Sequence, residues 1–184
     1  MRKLVAGLFV SLDGVTDQPE KWQMPYYNDE LGEVVASIVS DADAVLFGAR
    51  SYKRFKAVFE GKTNADLPFA DLWNTLPKFV VSNTLKAVDW HNSQLIAGNV
   101  AEEIMKLKQQ PGKNIAVGAS ATLVGWLLDN DLLDELHLTI HPVVVGMGKR
   151  LFEPGQRSTG MQLMRSKALS TGVVYLAYAP VPRS

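Results

Sequence analysis

Small and hydroxyl-bearing residues lie at three points where an apolar segment gives way to a candidate helix, within residues 47–52, 81–84 and 117–121. The start of a helix offers free backbone N–H groups and the positive end of the helix dipole, which together bind phosphates. We expect the ligand to be contacted by Gly48, Arg50, Ser51, Tyr52, Ser82, Asn83, Gly118, Ala119, Ser120 and Ala121. Such junctions at one edge of a sheet suit a dinucleotide. Each junction alone is also compatible with an ordinary tight turn and a capping serine.

Asp13 is the carboxylate best placed for a role in catalysis. It follows the first apolar segment, and the adjacent Gly14 permits the backbone conformation that a close approach to a ligand requires. A carboxylate at this point can position a substrate or relay a proton. The alternative is an aspartate that only stabilises a turn.

Aromatic and histidine side chains supply further candidates. Trp22 and Tyr27 are candidates for stacking on a planar substrate, although such residues also serve in half-buried packing. His137 and His141 share one face of a predicted strand, but two ligands without an acidic or cysteine partner fall short of a metal site. We therefore predict no metal site, and we expect both imidazoles to face solvent or an interface.

Composition limits the classes of partner. With 184 residues, of which 47% are hydrophobic, the chain is long enough for one well-buried core, and we expect a single domain over residues 1–184. Nineteen basic side chains balance nineteen acidic ones, so neither nucleic acid nor an anionic membrane is favoured and small molecules are the expected partners. The absence of cysteine excludes disulfides and cysteine-based zinc sites. No apolar run approaches a membrane span, and a cytoplasmic location is expected.

Apolar segments and helical stripes alternate over about two thirds of the chain. Strands are predicted at residues 4–10, 44–47, 78–82, 95–97, 115–117, 137–145, 161–169 and 173–179. Helices are predicted at residues 31–39, 52–58, 101–108 and 123–128, with one helical turn at 70–73. This order predicts an α/β fold with a parallel sheet, helices on both faces and antiparallel strands at the C-terminal end.

One segment combines a helix end, a long strand and a tight glycine turn. It carries Asp-Glu-Leu at 134–136, Pro-Val at 142–143 and Gly-x-Gly-Lys-x-Leu-Phe at 146–152. This combination resembles the dihydrofolate-reductase-like proteins, specifically the single-domain relatives of the reductase half of the riboflavin-biosynthesis deaminase-reductase. The resemblance extends over nearly the whole chain, and it implies a three-layer fold with a mixed, mostly parallel central sheet.

The resemblance also implies roles for individual residues. Ser-x-Asp-Gly at residues 11–14 matches a family segment whose loop runs beside the nicotinamide ring in relatives. A Gly-Arg-x-Thr-Tyr/Trp motif that holds the cofactor's phosphates matches Gly48, Ser51 and Tyr52, although Arg50 stands one place later than the family's arginine. The segment 81–83 resembles the strand end on the adenosine side, and residues 118–120 stand at the pyrophosphate turn.

The activity that the resemblance implies is hydride transfer from NADPH to a planar heterocycle, in the first place 5-amino-6-(5-phosphoribosylamino)uracil. A dihydrofolate reductase needs a buried carboxylate on its first helix. Here that position is Tyr27, and Asp29 lies two residues further, about 200° around a helix. Folate is therefore a weak candidate, and a nucleotide-binding module without turnover is another alternative. Relatives pair through their sheets or C-terminal strands, which implies a homodimer.

Overall fold

The computed structural model of the chain describes residues 1–182. Its strands are β1 (Leu4–Ser11), β2 (Ala42–Gly48), β3 (Lys78–Val81), β4 (Ser93–Ile96), β5 (Asn114–Gly118), β6 (Glu135–His141), β7 (Met161–Ala168) and β8 (Val174–Pro180). They form an eight-stranded sheet in the order β4-β3-β2-β5-β1-β6-β8-β7. Neighbouring strands from β4 to β6 are parallel, whereas β8 is antiparallel to both β6 and β7. The predicted α/β fold with a mixed, mostly parallel sheet is confirmed.

Helices cover both faces of this sheet. They are α1 (Asp29–Val39), α2 (Ala49–Phe59), α3 (Ala70–Thr75), α4 (Val100–Gln109) and α5 (Ala121–Asp129), with short 3-10 helices at Pro19–Lys21 and Met24–Tyr26. Successive side chains of β1 point to opposite faces, so Leu4 and Leu8 pack with α4 and α5 whereas Phe9 packs with α1. A further cluster around Phe47 joins α2 and α3 to β2 and β3. Within residues 1–182, no helix combines the length and apolar character needed to cross a membrane.

Two predicted boundaries were wrong by three residues or more, and the other differences are smaller. The strand predicted at residues 137–145 ends at His141, because Pro142 has no N–H group to donate to a neighbouring strand. The chain then runs beside the loop after β1, where the Leu12 N–H donates to the Val143 carbonyl at 2.9 Å. Helix α2 begins at Ala49 rather than at residue 52, directly after the end of β2.

The expectation that both histidines face solvent or an interface was also wrong. His137 is 6% exposed and His141 is fully buried, because α1 and the segment after β1 cover this face of β6. The His137 ring contacts the Tyr175 hydroxyl at 2.8 Å and the Glu135 carboxylate at 3.0 Å. The His141 Nδ1 donates to the Thr139 carbonyl at 2.9 Å, and burial lowers the pKa of His141. Period-2 alternation identifies a strand, but it does not reveal whether the polar face will be covered.

Candidate active site

A cavity of about 550 Å³, here called the central cavity, lies between the sheet and helices α1 and α2. Its floor includes Gly7 of β1, Gly118 of β5 and Thr139 of β6, and its walls include Ile38 of α1 and Phe55 of α2. The cavity is within the size range of small-molecule sites. It also lies toward the carboxyl ends of parallel strands, where α/β sheets bind their ligands.

Glycine allows the ends of β2 and β5 to approach each other beside this cavity. A Cβ atom at Gly118 would lie 2.1 Å from a ring carbon of Phe47, and one at Gly48 would lie 2.9 Å from Ser120 Oγ. Ala119 has a positive φ of 37°, a conformation that turns the chain sharply into α5. The structure thus brings two of the three predicted junctions together, with Ala121 as the first residue of α5.

The hydroxyl groups at these junctions already have partners. Ser51 Oγ donates to the Ala119 carbonyl at 3.1 Å, which ties α2 to the end of β5. Ser120 Oγ accepts from the Leu123 N–H at 3.3 Å as the N-cap of α5. The Tyr52 hydroxyl accepts from the N–H groups of Asp89 and Trp90, at 3.0 and 2.7 Å. These contacts fix the backbone around the junctions, and direct contact of the same side chains with a cofactor stays a prediction.

The third predicted junction lies farther from the cavity. Ser82 follows β3, and its Oγ accepts from the N–H groups of Thr84 and Leu85 at 3.1 and 3.0 Å. Asn83 is exposed beside it. Neither Ser82 nor Asn83 lines the central cavity. Since β3 is adjacent to β2 in the sheet, both residues lie on the outer side of the Gly48 junction.

Two arginines of α2 are paired with acidic residues from the segment that follows β1. Arg50, 74% exposed at its side chain, forms an ion pair with Asp17 at 3.1 Å. Arg54 forms an ion pair with Glu20, and both of these residues line the central cavity. Sequence reasoning missed Arg54. Its spacing of four residues from Arg50, which places both on one helix face, is the signal that could have found it.

Asp13 connects the loop after β1 to the glycine turn after β6. Its Oδ1 accepts from Ser11 Oγ at 2.6 Å and from the Val145 N–H at 3.0 Å, and its Oδ2 accepts from the Gly146 N–H at 2.8 Å. These donors, the Ser11 hydroxyl first, hold the pKa of Asp13 well below its usual range. The carboxylate is therefore ionised at neutral pH. Asp13 does not line the central cavity, so we expect any effect on turnover to act through the position of this turn.

The predicted substrate residues Trp22 and Tyr27 do not line the central cavity either. Trp22 is buried, donates from Nε1 to the Asp17 carbonyl at 3.0 Å and packs edge-on against His141. Tyr27 is 37% exposed. Their contact with a substrate stays a prediction. The neighbouring Gln23, which sequence reasoning missed, does line the cavity, and its buried Oε1 has no hydrogen-bond partner.

Lys149 is a third residue, after Arg54 and Gln23, whose position the sequence did not reveal. Its Nζ lies 2.5 Å from Thr122 Oγ1, in the first turn of α5. The dipole of a helix disfavours a cation near its N-terminus. A lysine there is better accommodated when an anion binds beside it. Its place in the Gly-x-Gly-Lys segment was the available signal.

Comparison with known families matches residues 2–175 to the RibD C-terminal domain. The chain belongs to the RibD C-terminal domain family. The YyaP protein of Bacillus subtilis (strain 168), described as uncharacterized, is 28% identical over 181 residues, which is 96% of this chain and 94% of YyaP.

Three solved structures show how widely this fold is shared. A provisionally named riboflavin biosynthesis protein from Shewanella sp. PV-4 matches with a TM-score of 0.78 and 18% identity, covering 98% of this chain and 99% of that chain. The riboflavin biosynthesis reductase Rib7 of Saccharomyces cerevisiae matches with a TM-score of 0.64 and 13% identity, covering 98% of this chain and 90% of that chain. Dihydrofolate reductase from Enterococcus faecalis, complexed with NADP(H), matches with a TM-score of 0.60 and 13% identity, covering 97% of this chain and 96% of that chain. The dihydrofolate-reductase-like fold is thereby confirmed, within a reductase-like family.

Proposed function

We propose that this chain is an NADPH-dependent reductase that passes a hydride to a planar acceptor held in the central cavity. The observation that carries the proposal is the position of the cavity, toward the carboxyl ends of β1, β5 and β6 and beside the first turns of α2 and α5. The family and the reductases of similar fold support this chemistry. The riboflavin-pathway compound 5-amino-6-(5-phosphoribosylamino)uracil, the substrate that the resemblance implies, is one of the acceptors to test.

The residues around the two junctions fit a dinucleotide. The first turns of α2 and α5 contain no acidic residue. The N-cap residue of α2 is Gly48, which has no side chain that could occupy the free N–H groups of the helix. The backbone from Gly48 to Ser51 and from Gly118 to Ala121 would hold the pyrophosphate, with Lys149 neutralising part of its charge. Arg50 would bind the 2′-phosphate of NADPH. Ser82 and Asn83 would contact the adenosine side of the cofactor.

When bound, a reduced nicotinamide supplies the hydride. The chain binds and orients the two reactants, and its apolar walls exclude water from them. Asp13 fixes the loop after β1 against the Gly146 turn, and Thr16 from the same segment lines the cavity. The central cavity thus has one wall whose position depends on Asp13.

Reduction of folate is disfavoured by the surroundings of α1. Glu30 is held at the surface by an ion pair with Lys167 at 3.0 Å and by hydrogen bonds from Ser170. These donors lower the pKa of Glu30 to about 2, the Ser170 N–H being the largest cause. Asp29 is exposed. Neither carboxylate lines the central cavity, so neither can protonate a pterin there.

Nicotinamide fluorescence with NADPH and NADH tests whether the cofactor binds. Oxidation of NADPH is then measured with quinones, pterins and ribosylaminopyrimidines. Binding without oxidation by any of these compounds would indicate a nucleotide-binding module. Absence of binding would contradict the proposed function itself.

Replacement of Arg50 by alanine is expected to weaken NADPH binding about tenfold and NADH binding much less, because only NADPH carries the phosphate that this guanidinium would meet. The dissociation constants are measured by fluorescence titration. Lys53→Ala, an exposed change on the same helix, serves as the control. Equal losses for the two cofactors would show that Arg50 does not distinguish them.

We also propose that the chain forms a homodimer through its C-terminal strands. Strand β7 lies at the edge of the sheet, and Leu163 and Met164 on it are 50% and 46% exposed. An unpaired edge with apolar side chains favours association with a second copy. Light scattering at micromolar concentration is expected to give twice the 20.2 kDa chain mass. A monomer mass would rule out this assembly.

A further inference from the structure

The walls of the central cavity are mostly apolar. They include Phe9 of β1, Val35 and Ile38 of α1, Phe55 and Val58 of α2 and Trp73 of α3. Such walls favour apolar surface and penalise every polar group that enters without a partner. The identity of the substrate therefore depends on the few polar side chains that the cavity contains.

The hydroxyl groups in these walls donate to backbone carbonyls. Ser51 donates to the Ala119 carbonyl at 3.1 Å, and Thr139 donates to the Leu8 carbonyl at 3.3 Å. The Thr16 hydroxyl donates to the Lys149 carbonyl at 3.4 Å. These side chains are thus engaged with the protein itself. Among residues 1–182, the polar side chain left for a ligand is Gln23, whose Oε1 has no hydrogen-bond partner and whose Nε2 makes a long 4.0 Å contact with Met24 Sδ.

In the part of the chain that the structure describes, charged groups enter the cavity wall only as a pair. Glu20 and Arg54 are the acidic and basic residues that line it, and they form an ion pair with each other. Both side chains are partly exposed, at 55% and 42%, which places the pair at the mouth. Within the described residues, 1–182, the interior therefore offers neither an unpaired cation for a phosphate nor an acid for protonating a buried nitrogen.

This composition fits the phosphoribosyl substrate poorly. Its phosphate dianion and ribose hydroxyls would each require partners, and burying them without partners is strongly unfavourable, most of all for the charged phosphate. A pterin requires a proton on a ring nitrogen as hydride arrives. An uncharged, flat, electron-poor carbonyl compound requires neither of these.

We propose that the central cavity binds an uncharged acceptor of the quinone class, a conclusion that rests on the proposed nicotinamide-dependent reduction. The quinone accepts a hydride, which carries two electrons and one proton, as the C4–H bond of the reduced nicotinamide breaks. The product is a hydroquinone monoanion, whose charge is delocalised over the ring. One proton from water completes the hydroquinone when it leaves, so the chain needs no general acid. The Gln23 Nε2 group, which makes a long 4.0 Å contact with Met24 Sδ, is the donor available to orient a quinone carbonyl, because the carbonyl oxygen can only accept a hydrogen bond.

The test compares kcat/KM for 2-methyl-1,4-naphthoquinone, 5-amino-6-(5-phosphoribosylamino)uracil and dihydrofolate in NADPH oxidation. We expect the quinone value to exceed the other two by about 100-fold or more, as unmet polar groups discriminate strongly between substrates. NADPH binding is measured separately by nicotinamide fluorescence. NADPH binding without quinone reduction, or faster reduction of the ribosylaminopyrimidine, would overturn the quinone proposal and leave cofactor binding standing. Absence of NADPH binding would instead contradict the proposed function.

A matched pair of variants locates the reaction in the cavity. Val58→Glu places a carboxylate in the wall at a side chain that is 39% exposed, so the fold should tolerate it. Val181→Glu makes the same change outside the cavity, at a side chain that is 47% exposed. Val58→Glu is expected to lower quinone kcat/KM about tenfold with unchanged NADPH affinity, and Val181→Glu to leave both unchanged. Equal quinone reduction by the two variants would contradict binding in this cavity.

Discussion

Gly118→Ala is expected to destabilise the protein by about 1–3 kcal/mol and to weaken NADPH binding at the same time. The added Cβ would lie 2.1 Å from the ring of Phe47, which is fully buried. That ring cannot move freely, because Phe55 and Trp73 pack against it at centroid distances of 5.0 and 6.3 Å. Relief of the clash must therefore shift either the end of β5 or the aromatic cluster, and Phe55 and Trp73 both line the central cavity.

Chemical denaturation measures the stability loss, and fluorescence titration measures the cofactor. Gly160→Ala is the control, since a Cβ there would meet Val181 at an ordinary 3.5 Å. Phe47→Leu in the Gly118→Ala background should return part of the lost stability, so the double variant should be more stable than the sum of the single effects predicts. Additive effects would show that Phe47 is not the obstacle.

Asp13→Asn is expected to lower turnover by about tenfold or more while NADPH affinity stays nearly unchanged. In the wild type, the Gly146 N–H donates to Asp13 Oδ2 at 2.8 Å. An asparagine can still accept at Oδ1, but its NH₂ group would face this N–H, so two donors would meet. The turn after β6 should then move away from the loop after β1. We expect the effect on turnover because Thr16, three residues further along that loop, lines the cavity.

The control for this variant is Asp66→Asn. Asp66 also accepts hydrogen bonds from a turn, from the N–H and the hydroxyl of Thr63, but it does not line the central cavity. The Asp66→Asn variant should lose stability, but its turnover per folded molecule should stay unchanged. If Asp13→Asn behaves in the same way as Asp66→Asn, Asp13 is purely structural.

The pH dependence of stability gives an independent measure of the Asp13 contacts. The pKa of Asp13 is lowered in the folded protein, first by the Ser11 hydroxyl and then by the N–H groups of Val145 and Gly146. A pKa that is lower in the folded protein stabilises the fold at pH values above the pKa of the unfolded chain, about 3.9. This contribution is lost as the pH falls below that value. The stability difference between the wild type and Asp13→Asn should therefore shrink below about pH 4.

Much of the fold was determined by local patterns. Continuous apolar runs such as residues 4–10 identified the central strands, and helical spacing of apolar residues identified α1, because each reflects the geometry of a single element. Gly48 and Gly118 could also be recognised, because each directly follows an apolar run that forms a single strand. The segment 132–152 was specific enough to indicate the family, which the match over residues 2–175 confirmed.

The character of the site was decided by the tertiary structure. Sequence reasoning selected Trp22 and Asp13, but it could not show that Trp22 packs against His141 or that Asp13 holds the Gly146 turn. The apolar walls around Ile38 and Phe55 are indistinguishable in sequence from ordinary core residues. Whether an apolar side chain fills a core or lines a cavity depends on what lies opposite it, and that is set by contacts between elements far apart in the chain.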